Sequence, residues 1–427
     1  MASANGRVND APTPAAVAPR TRLRPKDRRE QIIRVAAESF SEQGYFATGV
    51  DQIAGQVGIS GPALYRHFPN KYALFSETVR TLGTDLDRAI AQVPALPGDP
   101  ERELKLLISE LTRTTIENRS RGALYRWEAR YLNPEDRRHL GELVGRMHAR
   151  FAAILDQIRP ELSKGGVPQP GRLATDAQYL SGAVLSVIGS ITTHRASLPR
   201  KRIEAVILDA SLNVARTDLP PNDPVAAPVR PAAAVGLPMA SKREALLTEA
   251  IRLMSARGFH DVTMEEIGAA VGMNQSGVYR HFDTKVAMLS TAFSRASERI
   301  TARISDALAE SATPDEAVEK LVTKYVDLSF ANSDLLNLYL SEIGSVPEPQ
   351  RIELRDQQRR NVEEWAQLVG QVRPGLNPVE ARYLVHAAFN TVLDLGNWVR
   401  YDTRPATRER IEAVMTAILL PNSTPNT

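Results

Sequence analysis

Apolar residues recur at helical spacing near the start and again past the middle of the chain. Ile32, Ala36 and Phe40 fall at i, i+4 and i+8, and so do Leu246, Ala250 and Met254. That period lines one face of an amphipathic helix. Val50, Ile53, Ala54 and Val57 repeat it over a shorter helix. From residue 101 to 217 long helical patterns continue, interrupted at Asn133-Pro134, at Arg159-Pro160 and in the Gly/Pro-rich stretch Lys164 to Gly171. Strand-type alternation is nowhere sustained. The pattern predicts an all-α fold: a three-helix head followed by a helical bundle, twice.

The second unit is a copy of the first. A gapless shift of 214 residues matches Gly44, Ile53, Val57, Gly58, Tyr65-Arg66-His67-Phe68 and Lys71 to Gly258, Ile267, Val271, Gly272, Tyr279-Arg280-His281-Phe282 and Lys285. The same shift pairs Leu124-Tyr125 with Leu338-Tyr339, and Gln157 to Pro160 with Gln371 to Pro374. Arg202 to Val206 recurs as Arg410 to Val414 at a shift of 208, so the loops before the last helices differ in length. This is one tandem duplication and not a short-period solenoid. Between the copies, Thr217 to Met239 carries six prolines and excludes a regular helix or central strand. The expected organisation is a basic disordered arm (1–26), a first head (27–75), a first bundle (76–216), a Pro-rich linker (217–239), a second head (240–289), a second bundle (290–420) and a tail (421–427).

Composition narrows the chemistry. The 427 residues include no Cys, which removes thiol nucleophiles, disulfides and iron–sulfur or zinc-ribbon sites and fits a reducing, cytoplasmic setting. The first residues lack an apolar signal-peptide core, and no run of eighteen apolar residues predicts a membrane span. No His-Glu-x-x-His, Gly-x-Ser-x-Gly, phosphate-cradling glycine loop or dinucleotide fingerprint is present, so neither catalysis nor a bound cofactor or metal is expected. The formal charge is only +3, yet residues 20–34 place Arg20, Arg22, Arg24, Lys26, Arg28, Arg29 and Arg34 against Asp27 and Glu30. Such an arm suits a polyanion, or is a solvated linker.

The segment from Val50 to Lys71 carries the most specific chemistry. A short helix ends at Gly58, suited to positive φ, and Ser60 stands where the next helix would be capped. That spacing describes a helix-turn-helix, whose second helix offers its first residues to the DNA major groove; an ordinary αα-hairpin shares the spacing. In copy one those residues are Gly61, Pro62 and Ala63, and in copy two Asn274, Gln275, Ser276 and Gly277. Gln275 can pair bidentately with adenine, whereas Pro62 and Ala63 offer apolar contact. Thr48 and Thr263 are candidate helix caps or phosphate contacts, although they sit one place apart in the shared register, with Gly49 opposite Thr263.

Tyr65-Arg66-His67-Phe68 with Lys71, and Tyr279-Arg280-His281-Phe282 with Lys285, resemble the signature of the Tet repressor (TetR) family of bacterial transcription regulators. Gly44-Tyr45 and Ile53-Ala54 fit it as well. The resemblance implies that Tyr65, His67, Lys71, Tyr279, His281 and Lys285 contact DNA phosphates, setting register without reading sequence. Phe68 and Phe282 are expected in the core. Arg24 to Arg28 and Trp127 to Asn133 resemble the two-headed actinobacterial TetR-type repressors of mammalian-cell-entry operons, which implies a lipid-related regulon. Family members pair through their last two helices. Here residues 176–194 and 202–216 would meet 379–400 and 407–420 within one chain, forming an intrachain pseudo-dimer, with Ser181, Gly182, Ala183, Ser186 and Gly189 permitting close approach.

Unequal heads and a single arm imply an asymmetric double-stranded operator, with minor-groove reach on one side. The resemblance also implies an effector site between bundle helices, taking a small apolar or lipid-like molecule. Candidates by side-chain type are Trp127, Tyr131, His148 and Tyr179 in copy one and Tyr339, Trp365, Tyr383, His386 and Trp398 in copy two. For each of these, and for Phe151 and Phe389, aromatic core is the better reading, and those with a polar edge are better pocket candidates than the two phenylalanines. The expected function is a ligand-responsive repressor; the alternative is a lipid or drug carrier whose heads are structural.

Overall fold

The computed structural model of the chain describes residues 25–122, 124, 131–163, 167–169, 172–221 and 241–420. The first copy contains α1 (Pro25–Gln43), α2 (Val50–Val57), α3 (Gly61–Tyr65), α4 (Lys71–Gln92), α5 (Pro100–Glu117), α6 (Pro134–Ile158), α7 (Asp176–Gly189) and α8 (Arg200–Ala215). The second contains α9 (Lys242–Arg257), α10 (Met264–Ala270), α11 (Gln275–Tyr279), α12 (Lys285–Ala309), α13 (Pro314–Ala331), α14 (Ser333–Glu342), α15 (Glu348–Val372), α16 (Pro378–Trp398) and α17 (Pro405–Leu419). Among the described residues the fold is all-α apart from one antiparallel hairpin of β1 (Val167–Gln169) and β2 (Arg172–Ala174), within the stretch read from sequence only as a break. The arm residues Arg20, Arg22 and Arg24, the side chain of Lys26, and Trp127 lie outside the described residues, as does most of the linker.

Local sequence explains where the helices start and stop. Proline occupies the first position of α5, α6, α13, α16 and α17, where its missing N–H costs nothing. Asn70 and Thr284 cap α4 and α12 at matched places, accepting from Ala73 N at 2.8 Å and Ala287 N at 3.0 Å. The turns after α1 and α2 need left-handed backbone, and glycine supplies it in both copies: Gly44 and Gly258 have φ of 82° and 93°, Gly58 and Gly272 of 77° and 68°.

Each head has its own core, Phe40, Ile53, Leu64 and Phe75 in the first and Leu246, Met254, Ile267 and Phe293 in the second. The bundles instead share one continuous core, which runs from Leu107, Phe151 and Val184 to Val322, Trp365 and Val392. At its centre α7 and α8 pack on α16 and α17 as a four-helix seam between the copies. Polar groups lock the register there. Asn390 Nδ2 donates to Ser186 O at 2.8 Å, Tyr383 Oη donates to Ala196 O at 2.9 Å, and Arg373 pairs with Asp209 at 2.7 Å. Arg410, only 2% exposed, pairs with Asp176 and lies 5.1 Å over the ring of Tyr179. Its guanidinium also donates to Pro220 O at 2.7 Å, tying the start of the linker to the second copy.

Candidate nucleic-acid interface and bundle cavities

In both heads the first turn of the second helix-turn-helix element is presented to solvent on a matched frame. Tyr65 and Tyr279 are 47% and 46% exposed, His67 and His281 stand half-buried beside them, and Phe68 and Phe282 fill the core as expected. Pro62 and Gln275 are exposed and Ala63 is half-buried. Ser60 occupies the cap position before α3 and is exposed, but its hydroxyl makes no capping hydrogen bond.

Several residues expected at this surface are engaged elsewhere. Thr48 is buried and donates to Gly44 O at 2.8 Å and Ser39 O at 3.1 Å, so it neither caps α2 nor reaches a phosphate. Gly61 and Gly277 are buried: a Cβ on Gly61 would strike the Asp51 carboxylate, and one on Gly277 would press on Met273 and Asn274. Thr263 does cap α10, in a capping box with Glu266 that holds the glutamate well below its usual value, at about 2; the Thr263 backbone N–H is the main cause and the Arg257 guanidinium the next. Asn274 caps α11, and its side-chain oxygen accepts from Gly277 N at 2.9 Å and Ser276 Oγ at 3.0 Å. Gln275 and the exposed Tyr279 therefore carry the polar reach of that helix.

The paired lysines are loop ties. Lys71 Nζ donates to Phe46 O at 3.2 Å. Lys285 Nζ donates to Phe259 O at 2.7 Å, to His260 O at 3.4 Å and to Val262 O, which occupies its three protons on one loop. Burial pulls both ammonium groups below the usual lysine value. Two members of the basic run also have local duties that sequence did not reveal. Arg28 donates to Val57 O at 3.0 Å, as the matched Lys242 does to Val271 O at 3.3 Å; Arg29 and Arg243 cover the Phe68 and Phe282 rings at 4.9 and 4.5 Å. The heads meet at equivalent loop positions, where the Phe46 and His260 rings lie 4.7 Å apart.

Each bundle holds a cavity in the same place. The second, about 170 Å³, lies among α12 to α16, with Phe293, Ile300, Tyr325, Leu336 and Phe389 in its wall. The first, about 70 Å³, uses matched positions such as Leu86, Leu111 and Gly122 together with Leu185, Ile188 and Thr192. Of the sequence candidates, Tyr339 and His386 line the larger cavity and His148 the smaller. Phe389, set aside as core, is in fact wall, stacked on Tyr325 at 4.3 Å.

The remaining candidates pack away from both cavities. Tyr131 stacks on Tyr45 at 5.9 Å and meets Phe46 edge-on at 4.9 Å, at the first head. Tyr179 and Trp398 meet at 5.5 Å in the seam, and Tyr383 packs edge-on to His194 at 4.4 Å. Trp365 stands one layer behind Tyr325 and Phe389. His386 stacks on His194 at 4.1 Å, and burial drives their values down to about 4 and about 2, so both are neutral near pH 7. Burial pushes the Tyr339 phenol up to about 12, and it donates to Gln358 Oε1 at 3.1 Å.

Two exposed helix-turn-helix heads are joined by a helical seam, and the comparisons match the heads. Residues 32–78 and 246–292 each match the family model described as bacterial regulatory proteins, tetR family. That model thus matches the chain twice in tandem, once over each head, which supports a tandem regulator of this family. It is 33% identical over 101 residues to the HTH-type transcriptional activator FasR of Mycolicibacterium smegmatis, covering 24% of this chain and 46% of that protein. Against the HTH-type transcriptional repressor KstR2 of Rhodococcus jostii it is 28% identical over 130 residues, covering 30% and 64%. The matches thus span about half to two-thirds of these relatives' lengths. A solved TetR-family regulator from Bordetella parapertussis aligns at 20% identity with a TM-score of 0.40, over 42% of this chain and 95% of that one. Among the described residues no helix is long and apolar enough to cross a membrane.

Proposed function

We propose that the chain is a DNA-binding transcriptional regulator, a repressor released by a small apolar effector, in which one polypeptide acts as a pseudo-dimer on an asymmetric operator. The observation that carries this reading is the pair of matched heads with unlike recognition helices. Tyr65 and Tyr279 are equally exposed, whereas the position of exposed Gln275 in the second head is held by buried Gly61 in the first, followed by Pro62 and Ala63. Tyrosine and histidine at the rim can donate to phosphates, and Gln275 can pair with an adenine that copy one has no means of recognising. Lys71 and Lys285 act indirectly, by fixing the loop that supports each head, and the basic arm reaches the minor groove beside the first head only. The seam holds both heads in one chain, so neither half-site waits for a second subunit. The resemblance to regulators of lipid-import operons and the apolar cavity both support a lipid-related effector in a cytoplasmic setting.

The test is footprinting of the full chain on its own upstream DNA at several salt concentrations, with the mass of the complex from light scattering. Two unlike protected half-sites per chain, weakening steeply with salt, are expected. Absence of protection at low salt would overturn the proposal.

A further inference from the structure

The two cavities occupy matched positions but are not equivalent. We propose that the chain takes one ligand, in the second bundle alone, and that this ligand is a small anionic amphiphile with its apolar body in the cavity and its carboxylate at Arg299. The proposal rests on the effector reading above and gives it a stoichiometry and a chemical class.

Size is the first argument. An apolar cavity of about 150 Å³ admits a benzene ring, so about 170 Å³ suits a ring or a chain of about eight carbons, while the first bundle's 70 Å³ has room for little beyond water. The matched positions explain the difference. Leu82 in copy one is Ala296 in copy two, and the ring of His148 enters the smaller cavity from a place held by Val362 in the other copy. The seam helix of copy one also closes down: α7 gives way to a tight turn at Ser190–Thr192, where Thr192 sits so near Gly122 that a Cβ there would collide with it. The matched Leu336 is wall instead.

Polarity is the second argument. Asn361 stands where copy one has Met147, and it is only 6% exposed. Its Oδ1 accepts from Thr301 Oγ1 at 3.0 Å, and among the described residues its amide nitrogen keeps its protons for an acceptor at the cavity wall. Arg299 lies at the mouth, donating to Asn332 Oδ1 at 3.0 Å and making no ion pair among the described residues. Its counterpart in copy one is Asp85, an acid. Beyond the mouth the cleft continues past Arg303, Lys320 and Lys324, which are already paired with Asp306, Glu316 and Glu310, so among these described cations Arg299 is the one left for an anion.

Coupling to the other copy is built in. Thr193, from the first copy, lines the second cavity, and so does Asn390, whose amide holds Ser186 across the seam. A single occupant therefore presses on both halves.

The experiment is calorimetric titration of the full chain without DNA, using octanoate and 1-octanol. One octanoate per chain is expected. The double variant Ala296→Leu with Asn361→Met, which installs copy-one residues, should lose both ligands while keeping its thermal unfolding transition. Arg299→Asp should weaken octanoate by at least about tenfold, as loss of a charge-assisted contact implies, and leave octanol within about twofold. Two octanoates per chain, no octanoate binding at millimolar concentration, or equal loss of both ligands in Arg299→Asp would overturn the proposal. Because the titration contains no DNA, its outcome stands apart from that of the footprint.

Discussion

The two bundles share a frame and differ in how they fill it. Position by position the cavity walls correspond, Leu86 to Ile300, Leu111 to Tyr325, Thr115 to Ser329 and Asn118 to Asn332 under one shift. Yet α7 has 14 residues and α16 has 21, and that extra length changes the end of the seam. In copy one the chain turns early and is pinned by Arg119 Nε on Ile191 O at 2.8 Å; in copy two the helix runs on past Phe389, Asn390 and Leu393, all of which line the larger space. Duplication supplied two equal frames, and a few side chains with one early helix stop made one of them nearly solid. The heads show the same divergence on a smaller scale, with one ammonium–carbonyl tie at Lys71 and three at Lys285.

The largest effect is expected at the seam. Arg410→Met should lower stability by about 3–5 kcal/mol in denaturant unfolding, since it leaves Asp176 without its buried partner. The matched Arg202→Met should cost less, because Arg202 is mostly exposed while pairing with Glu380. A comparable loss in both would show that the seam is energetically symmetric. Next, Leu82→Ala should cost about 2–4 kcal/mol and open the first cavity, raising octanoate stoichiometry toward two. A stable variant that still binds one would place the asymmetry in the helix stop at Ser190 instead.

Smaller effects concern the heads. Lys285→Ala should destabilise by about 1–2 kcal/mol and Lys71→Ala by less, measured as protection of loop amides against hydrogen exchange, since it strands more carbonyls. The smallest effect is on pH. Because Glu266 is held below its usual value, its capping contribution is fully present above about pH 4.5 and is lost as pH falls toward about 2. The matched residue in head one is Gln52, which does not titrate, and Gly49 begins that helix without a side-chain cap. Exchange at the start of α10 should therefore rise selectively at pH 3, and Glu266→Gln should abolish that dependence.

Much of the fold was legible in sequence because it rests on local rules. Helical periodicity located the heads and bundles, Gly58 marked a positive-φ turn, and the 214-residue register exposed the duplication. The candidate site was legible in kind and less so in detail. Tyrosine and histidine of the shared signature lie at or near the surface and phenylalanine in the core, but the lysines turned inward. A lysine beside a helix start looks alike in sequence whether its partner is a phosphate or a loop carbonyl. The aromatic candidates sorted poorly for a similar reason: Tyr179, Trp365 and Phe389 all recur at helical spacing, and which of them faces a void depends on what the neighbouring helix puts opposite.

By itself, then, the sequence determined an all-α tandem with two unlike heads, since periodicity, turn glycines and an ungapped repeat are properties of the chain's order. Tertiary structure decided which polar groups stay free and where empty volume survives. Both are set by contacts between residues far apart in sequence, such as Thr192 against Gly122, Asn390 against Ser186 and Lys285 against a loop 23 to 26 residues upstream.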